Sequence, residues 1–190
     1  SFRASASSLK FAGYAAVYEE SRDEEKEDKE PALPPLEQGE VDAFFKRSFD
    51  SLGIAIESGL RRSASAYTAG SPYLLQLVGH YTCLYAEDGK VSEESLAEAL
   101  RTSGDDFQSD VCATTLAALS ERDVDFLEAM AELGEPTSVA AVAEAMGATA
   151  DYAQKYRRRL IDGGVIKSAG RGKVAFDVPF LAEHLRRRNE

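Results

Sequence analysis

Tryptophan is absent from this chain of 190 residues, and cysteine, histidine and methionine occur twice each. Each scarcity narrows what the protein can be. Two cysteines, Cys83 and Cys112, cannot supply the disulfide framework of a small secreted domain. Both lie in apolar helical contexts and read as small buried thiols in a reducing compartment. His80 stands three residues before Cys83, so a metal site shared with Cys112 can be written down. It needs two further ligands, and the sequence places none; no metal site is assigned. No run approaches the ~18 apolar residues of a membrane span, and no signal peptide is visible, so the expectation is a cytoplasmic protein with no membrane partner. With Ser1 where a starting Met would stand, the chain reads as a fragment or trimmed piece. It also lacks a Gly-x-x-x-x-Gly-Lys-Ser/Thr phosphate loop and a Walker B strand, so nothing in it cradles a triphosphate or holds its magnesium. No nucleophile–base pair or carboxylate cluster can be assigned from the spacing; no catalytic residue and no cofactor is expected in this chain.

Positive charge is scarce too, but unevenly so. The totals are 22 basic and 33 acidic residues, a net charge of −11. Taken as an average, that argues against nucleic acid. Residues 1–136 hold 12 basic and 27 acidic residues, whereas residues 137–190 hold 10 basic and 6 acidic ones. A C-terminal module at +4 on a remainder at −15 is what local phosphate binding requires, because partners respond to the local field rather than to the total.

What is present is mostly helix. Residues 1–18 mix aromatics with small residues and read as extended segments. Residues 19–40 carry 10 acidic and 3 basic residues with Pro31, Pro34 and Pro35, too little apolar surface to offset chain entropy, and read as a disordered tether. From Val41 onward short amphipathic helices follow one another. Asp42 is the expected cap of a helix presenting Phe44, Phe45, Phe49 and Leu52 up to Gly53. A second spans Glu57–Ala69, stopped by Gly70. Ser71-Pro72 pairs an N-cap with proline at the first helical position and opens a helix that is apolar almost all round, expected at the centre of a bundle. Ser92 caps a further helix, and Asp105 or Asp106 caps one through Val111, Leu116 and Leu119. Ser120 to Asp123 caps a helix ending at Gly134, and Thr137/Ser138 starts one ending at Gly147.

The most informative stretch is Thr149 to Lys173. Thr149 is a good N-cap with Asp151 in the first turn. Ala153, Tyr156/Arg157 and Leu160 recur at helical spacing as an inward stripe, leaving Gln154, Lys155, Arg158 and Arg159 outward or flanking. Gly163-Gly164 stops the helix. Val165-Ile166-Lys167 and Val174–Asp177 read as two strands around the basic turn Ala169–Lys173. Three helices, a tight glycine turn between the last two, and a two-stranded basic-tipped hairpin make a winged helix-turn-helix. Pro179 restarts a helix ending in Arg186–Arg188, expected as a solvated end. The predicted architecture is therefore mainly α: an extended or disordered segment over 1–40, a helical lid-type bundle over 41–112, and a winged-helix domain with a small β-hairpin wing over 113–190.

The candidate DNA-binding residues are Gln154, Lys155, Arg157, Arg158, Arg159, Arg171 and Lys173. On the recognition helix the cations either meet phosphates and enter the groove or are simply solvated near a helix C-terminus, with the Arg157 stem packed on the core. Gln154 can read an adenine edge or do nothing. Arg171 and Lys173, framed by glycines, suit a wing probing the minor groove or a merely polar hairpin.

Two resemblances bear on this. Ala69-Gly-Ser-Pro-Tyr-Leu-Leu-Gln-Leu-Val-Gly79, Leu119-Ser…Asp123-x-x-Phe126-Leu, Tyr156-Arg-x-Arg-Leu-Ile-x-x-Gly164-Val-Ile and Gly170-Arg-Gly…Phe176-x-x-Pro179 resemble the C-terminal portion of AAA-type P-loop ATPases of the archaeal ATPase and origin-recognition-like kind. There a helical lid follows the nucleotide-binding core and a winged helix follows the lid. The resemblance covers about 150 residues and implies double-stranded DNA, the ATPase core or a second copy as partners, with ATP and magnesium belonging to the parent protein. The lid helix here departs from many relatives in lacking an arginine near its start. Arg3-Ala-Ser…Lys10-Phe-x-Gly13-Tyr…Val17-Tyr-Glu-Glu20, leading to Leu33-Pro-x-Leu36-x-x-Gly39-Glu, resembles a segment of bacterial type IA DNA topoisomerases, without that family's metal-binding acidic domain or active-site tyrosine motif. The leading expectation is a non-catalytic DNA-binding module with an ATPase lid. The alternatives are a winged helix that docks on a protein partner or its own ATPase core, and a topoisomerase fragment.

Overall fold

In the computed structural model, which describes residues 36–189, helix begins earlier than the acidic composition suggests. The expectations for the N-terminal extended and acidic segments lie, as far as residue 35, outside the described residues. Leu36 is already buried, its N–H donating to Gly70 O at 3.0 Å, and helix α1 spans Gln38–Leu52. Glu40 is the reason. Its carboxylate accepts from the Glu37 N–H at 3.1 Å, closing the helix start that Asp42 was expected to close. Asp42 lies inside the helix instead, taking a forked pair from Arg61 at 2.9 and 3.1 Å. Gly53 ends α1 in the left-handed conformation, φ 70°.

The chain divides into two compact units, the second beginning at Gln108 where the sequence reading placed it at residue 113. In the first, α2 spans Ser58–Tyr67, α3 Pro72–Tyr85 and α4 Glu93–Phe107. Ser71 caps α3 by accepting from the Leu74 N–H, and Ser92 Oγ accepts from the Ser95 N–H at 3.1 Å. Phe45 and Phe49, both fully buried, stack with centroids 5.4 Å apart in a core that also takes in Val41, Ile54, Leu75, Val78 and Leu96. Truncating either ring to alanine would cost about 3–5 kcal/mol. Asp105 and Asp106 do not start a helix. They lie in the last turn of α4, where Arg101 donates to Asp105 at 2.9 Å and the Tyr81 hydroxyl donates to Asp106.

The second unit opens on a π-helical turn, Gln108–Cys112, followed by the short α5, Ala113–Ala117. Helix α6 spans Glu121–Leu133, α7 Val139–Ala145, α8 Ala150–Asp162 and α9 Leu181–Arg188. Helices α6, α7 and α8 pack on one another, and α9 lies against α6. Buried Phe126, Leu127, Met130, Val142, Leu160, Leu181 and Leu185 form the interior. Three strands complete the unit: β1 Thr137–Ser138, β2 Ile166–Ser168 and β3 Lys173–Phe176. They form an antiparallel sheet in the order β1-β3-β2, with Ile166 opposite Phe176 and Thr137 opposite Val174. The sheet is thus one strand wider than the hairpin expected. The residues just before α7 reach across to β3, a pairing no local pattern announces.

Among the described residues no helix is long and apolar enough to cross a membrane, and no group of three or more His, Cys, Asp and Glu side chains is placed to hold a metal ion.

Candidate nucleic-acid interface

Helix α8 carries most of the candidate contacts, and its local chemistry explains which of its side chains are available. Thr149 caps it, its hydroxyl accepting from the Tyr152 N–H at 3.3 Å. Ala153, Tyr156 and Leu160 are buried, as the spacing predicts, and Gly164 at φ 66° turns the chain out of the helix. On the opposite side Gln154, Lys155 and Arg158 are exposed. Positions three and four apart share a helix face, so these three form one patch. Asp151 and Asp162 continue the same ridge at its two ends, making it basic in the middle and acidic at the tips.

Arg159 and Arg157 stand apart from that patch. The Arg159 guanidinium donates through Nε to Asp123 Oδ1 at 2.9 Å and through Nη2 to Ser120 Oγ at 2.9 Å, and Nη2 forms an ion pair with Asp123 Oδ2 at 2.5 Å. It also covers the Tyr156 ring at 5.1 Å, and Tyr152 meets the same ring edge-on at 4.8 Å. Asp123 is almost wholly buried, and its carboxylate accepts from the Ser120 N–H and hydroxyl at 3.2 and 2.7 Å, capping α6. Burial pushes the Asp123 carboxyl up, but the hydrogen bonds from Arg159 and Ser120 outweigh it and hold the pKa below the ordinary carboxylate value. The hydrogen bond from Arg159 to Asp123 in turn raises the guanidinium's own pKa. Arg157 is half-buried, its Nε enclosed and without a hydrogen-bond partner among the described residues.

The hairpin supplies the other two candidates. Gly170 at φ 111° and Gly172 at φ 70° take backbone conformations that side chains disfavour, and between and beside them Arg171 and Lys173 are exposed. The turn is closed by Ala169 N–H to Lys173 O at 3.0 Å and Lys173 N–H to Gly170 O at 3.1 Å. Behind the tip, Lys167 pairs with Asp177 across the strands at 3.2 Å. No ion pair among the described residues takes up Lys155, Arg158, Arg171 or Lys173.

The three arginines of α9 are exposed, as expected of a solvated end, and each also makes a contact within the unit. Arg186 Nε donates to Ala131 O at 3.0 Å, Arg187 reaches Gln108, and Arg188 pairs with Glu128 at 2.5 Å. Arg186 thereby satisfies a carbonyl near the end of α6, which has no following turn to bond it. The sequence reading also passed over Tyr152, 42% exposed in the first turn of α8. An exposed aromatic at a helix start was its only signal.

Comparison with known proteins supports the fold. Residues 109–185 match a family described as a domain of unknown function, DUF8462, and no curated protein matches. Among solved structures, the Walker-type ATPase PABY2304 of Pyrococcus abyssi is similar over 80% of this chain and 42% of its own, at 18% identity and a TM-score of 0.63. The Thermotoga maritima RuvB Holliday junction branch migration motor aligns over 81% of this chain and 50% of its own, at 19% identity and a TM-score of 0.36. The chain therefore spans half or less of the length of these structures. In fold it resembles part of the Walker-type ATPase.

Proposed function

We propose that the chain is a non-catalytic, DNA-binding piece of an AAA-type P-loop ATPase, in which residues 36–107 serve as the helical lid and residues 108–190 as a winged helix. On this reading α8 is the recognition helix and the β2–β3 hairpin the wing. The fold likeness to a Walker-type ATPase supports the parentage. ATP, magnesium and the phosphate loop belong to the nucleotide-binding core of the parent protein, which becomes a natural partner, in the cytoplasm. The observation that carries the DNA reading is the set Lys155, Arg158, Arg171 and Lys173: four exposed cations on a helix and the hairpin after it, with no acidic partner among the described residues. Cations already neutralised by protein carboxylates release few counterions from DNA; unpaired ones release them and bind.

The test is a titration of duplex DNA with the full chain across salt concentrations. Affinity should fall linearly on log–log axes, and Arg158→Gln or Lys173→Gln should each shallow the slope by up to about 0.9. Absence of any retardation at low salt defeats the reading. One observation favours a second reading, docking on a protein partner: Tyr152 offers an exposed aromatic face beside the basic patch, of the kind enriched in protein interfaces. In that case Tyr152→Ala abolishes capture of an isolated ATPase core and leaves DNA out of the account.

A further inference from the structure

By sequence Arg159 is one more cation on the recognition helix; its geometry points to another task. Two hydrogen bonds, from Nε to Asp123 and from Nη2 to Ser120, hold its fork on the side facing α6, and Nη2 is also in ion-pair contact with Asp123 Oδ2. The acceptor is nearly buried and belongs to the N-terminal cap of α6. The guanidinium lies over the Tyr156 ring, which Tyr152 meets edge-on in turn. A planar guanidinium held at two atoms, Nε by Asp123 and Nη2 by Ser120, resists rotation of the helix that bears it, because a rotation must break both bonds. A rotation of α8 about its axis would swing Lys155 and Arg158 through the same angle.

We infer that Arg159 is a positioning residue for duplex binding: it sets the roll of α8 by gripping the α6 cap at Asp123 and Ser120, and does not itself contact phosphate. The inference rests on the DNA-binding reading above and deepens it. It divides the basic residues of α8 by task. Lys155 and Arg158 meet the nucleic acid, while Arg159 aims them.

Two opposite changes separate this from direct contact. Arg159→Gln removes a cation, and Asp123→Asn removes the anion that holds it. If Arg159 met phosphate, or if only net charge mattered, the first would weaken duplex binding and the second would strengthen it, since a freed guanidinium would be added to the interface. For a positioning residue both break the same grip, and both weaken binding several-fold. The salt slope then stays at the wild-type value, because Lys155 and Arg158 still reach phosphate in the complex and only the cost of aiming them rises, whereas Arg158→Gln shallows it by up to about 0.9. Binding of the full chain to one duplex is measured by fluorescence anisotropy, at a temperature where circular dichroism shows every variant fully folded, so that a merely destabilised fold does not register. Weaker binding in both variants at unchanged slope supports the assignment. Opposite signs, a slope loss in Arg159→Gln like that of Arg158→Gln, or unaltered affinity in either variant overturns it. Failure of the wild-type chain to bind duplex at low salt is seen before any variant is compared, and removes the DNA-binding reading itself.

Discussion

Gly104 occupies a point in α4 where even a methyl group lacks room: a Cβ there would lie 2.3 Å from the Tyr67 hydroxyl oxygen. Gly104→Ala should therefore destabilise the first unit by about 1–3 kcal/mol, as overpacking does, read by urea denaturation. Behind the hydroxyl the nearest ring carbon is 3.6 Å away, so most of the cost should vanish in a Tyr67→Phe background. An equal cost in both backgrounds would show that the hydroxyl is not the obstacle. Asp123 makes a different prediction at the same scale. Its folded-state pKa lies below the ordinary value of 3.8, despite burial, because Arg159 and Ser120 hydrogen-bond the ionised form. The folded state thus binds the proton less readily than the unfolded one. The resulting stability is complete above about pH 4 and drains away as pH falls through the lowered pKa. Asp42, lowered chiefly by its hydrogen bond from Arg61, behaves alike in the first unit. Thermal midpoints followed from pH 5 down to pH 2 should accordingly drop less steeply for Asp123→Asn than for the wild type. A parallel fall would mean the pair adds nothing.

Helix α8 is held at its start by one exposed hydroxyl, Thr149. Thr149→Ala should cost about 1 kcal/mol of stability, with Thr149→Ser restoring nearly all of it; a neutral Thr149→Ala would mean water caps the helix equally well. Caps of this sort were what the sequence disclosed best. Ser71, Ser92, Ser120, Ser138 and Thr149 each accept from a backbone N–H three residues on, a relation written within four residues of chain. Left-handed glycines at 53, 147 and 164 mark helix ends for the same local reason. Asp42, Asp105 and Asp106 misled because an acid near a helix start looks identical whether its partner is a backbone N–H or a distant side chain. Arg61 lies 19 residues from Asp42, and Tyr81 lies 25 from Asp106. Strand β1 was hidden likewise: two residues show no alternation, and their partner β3 is 35 or more residues away. The basic patch was legible as composition, but its sorting was not. That Arg159 is engaged, while Arg158 has no ion-pair partner among the described residues, depends on Asp123, 36 residues upstream.

For the molecule as a whole, the separation of charge into an acidic majority and a basic C-terminal fifty residues could be read by counting, and the helical class from the run of caps and glycines. The fold likeness to a Walker-type ATPase agrees with that class while saying nothing of what the chain binds. The two cysteines, dismissed at the outset as inert, acquire a use from the division at Gln108. Cys83 falls in the first unit and Cys112 in the second, both buried. Burial pushes the Cys83 thiol up to about 12, and burial, with a smaller contribution from Glu183, pushes the Cys112 thiol up to about 11. Neither reacts as a thiolate in the folded protein. Each half of the molecule consequently contains its own silent clock, started only when that half opens. Alkylation timed by mass spectrometry should mark neither sulfur in buffer and both in denaturant. On the proposed DNA-binding reading, saturating duplex should slow the Cys112 clock and leave that of Cys83 unchanged, since a ligand protects the part that grips it.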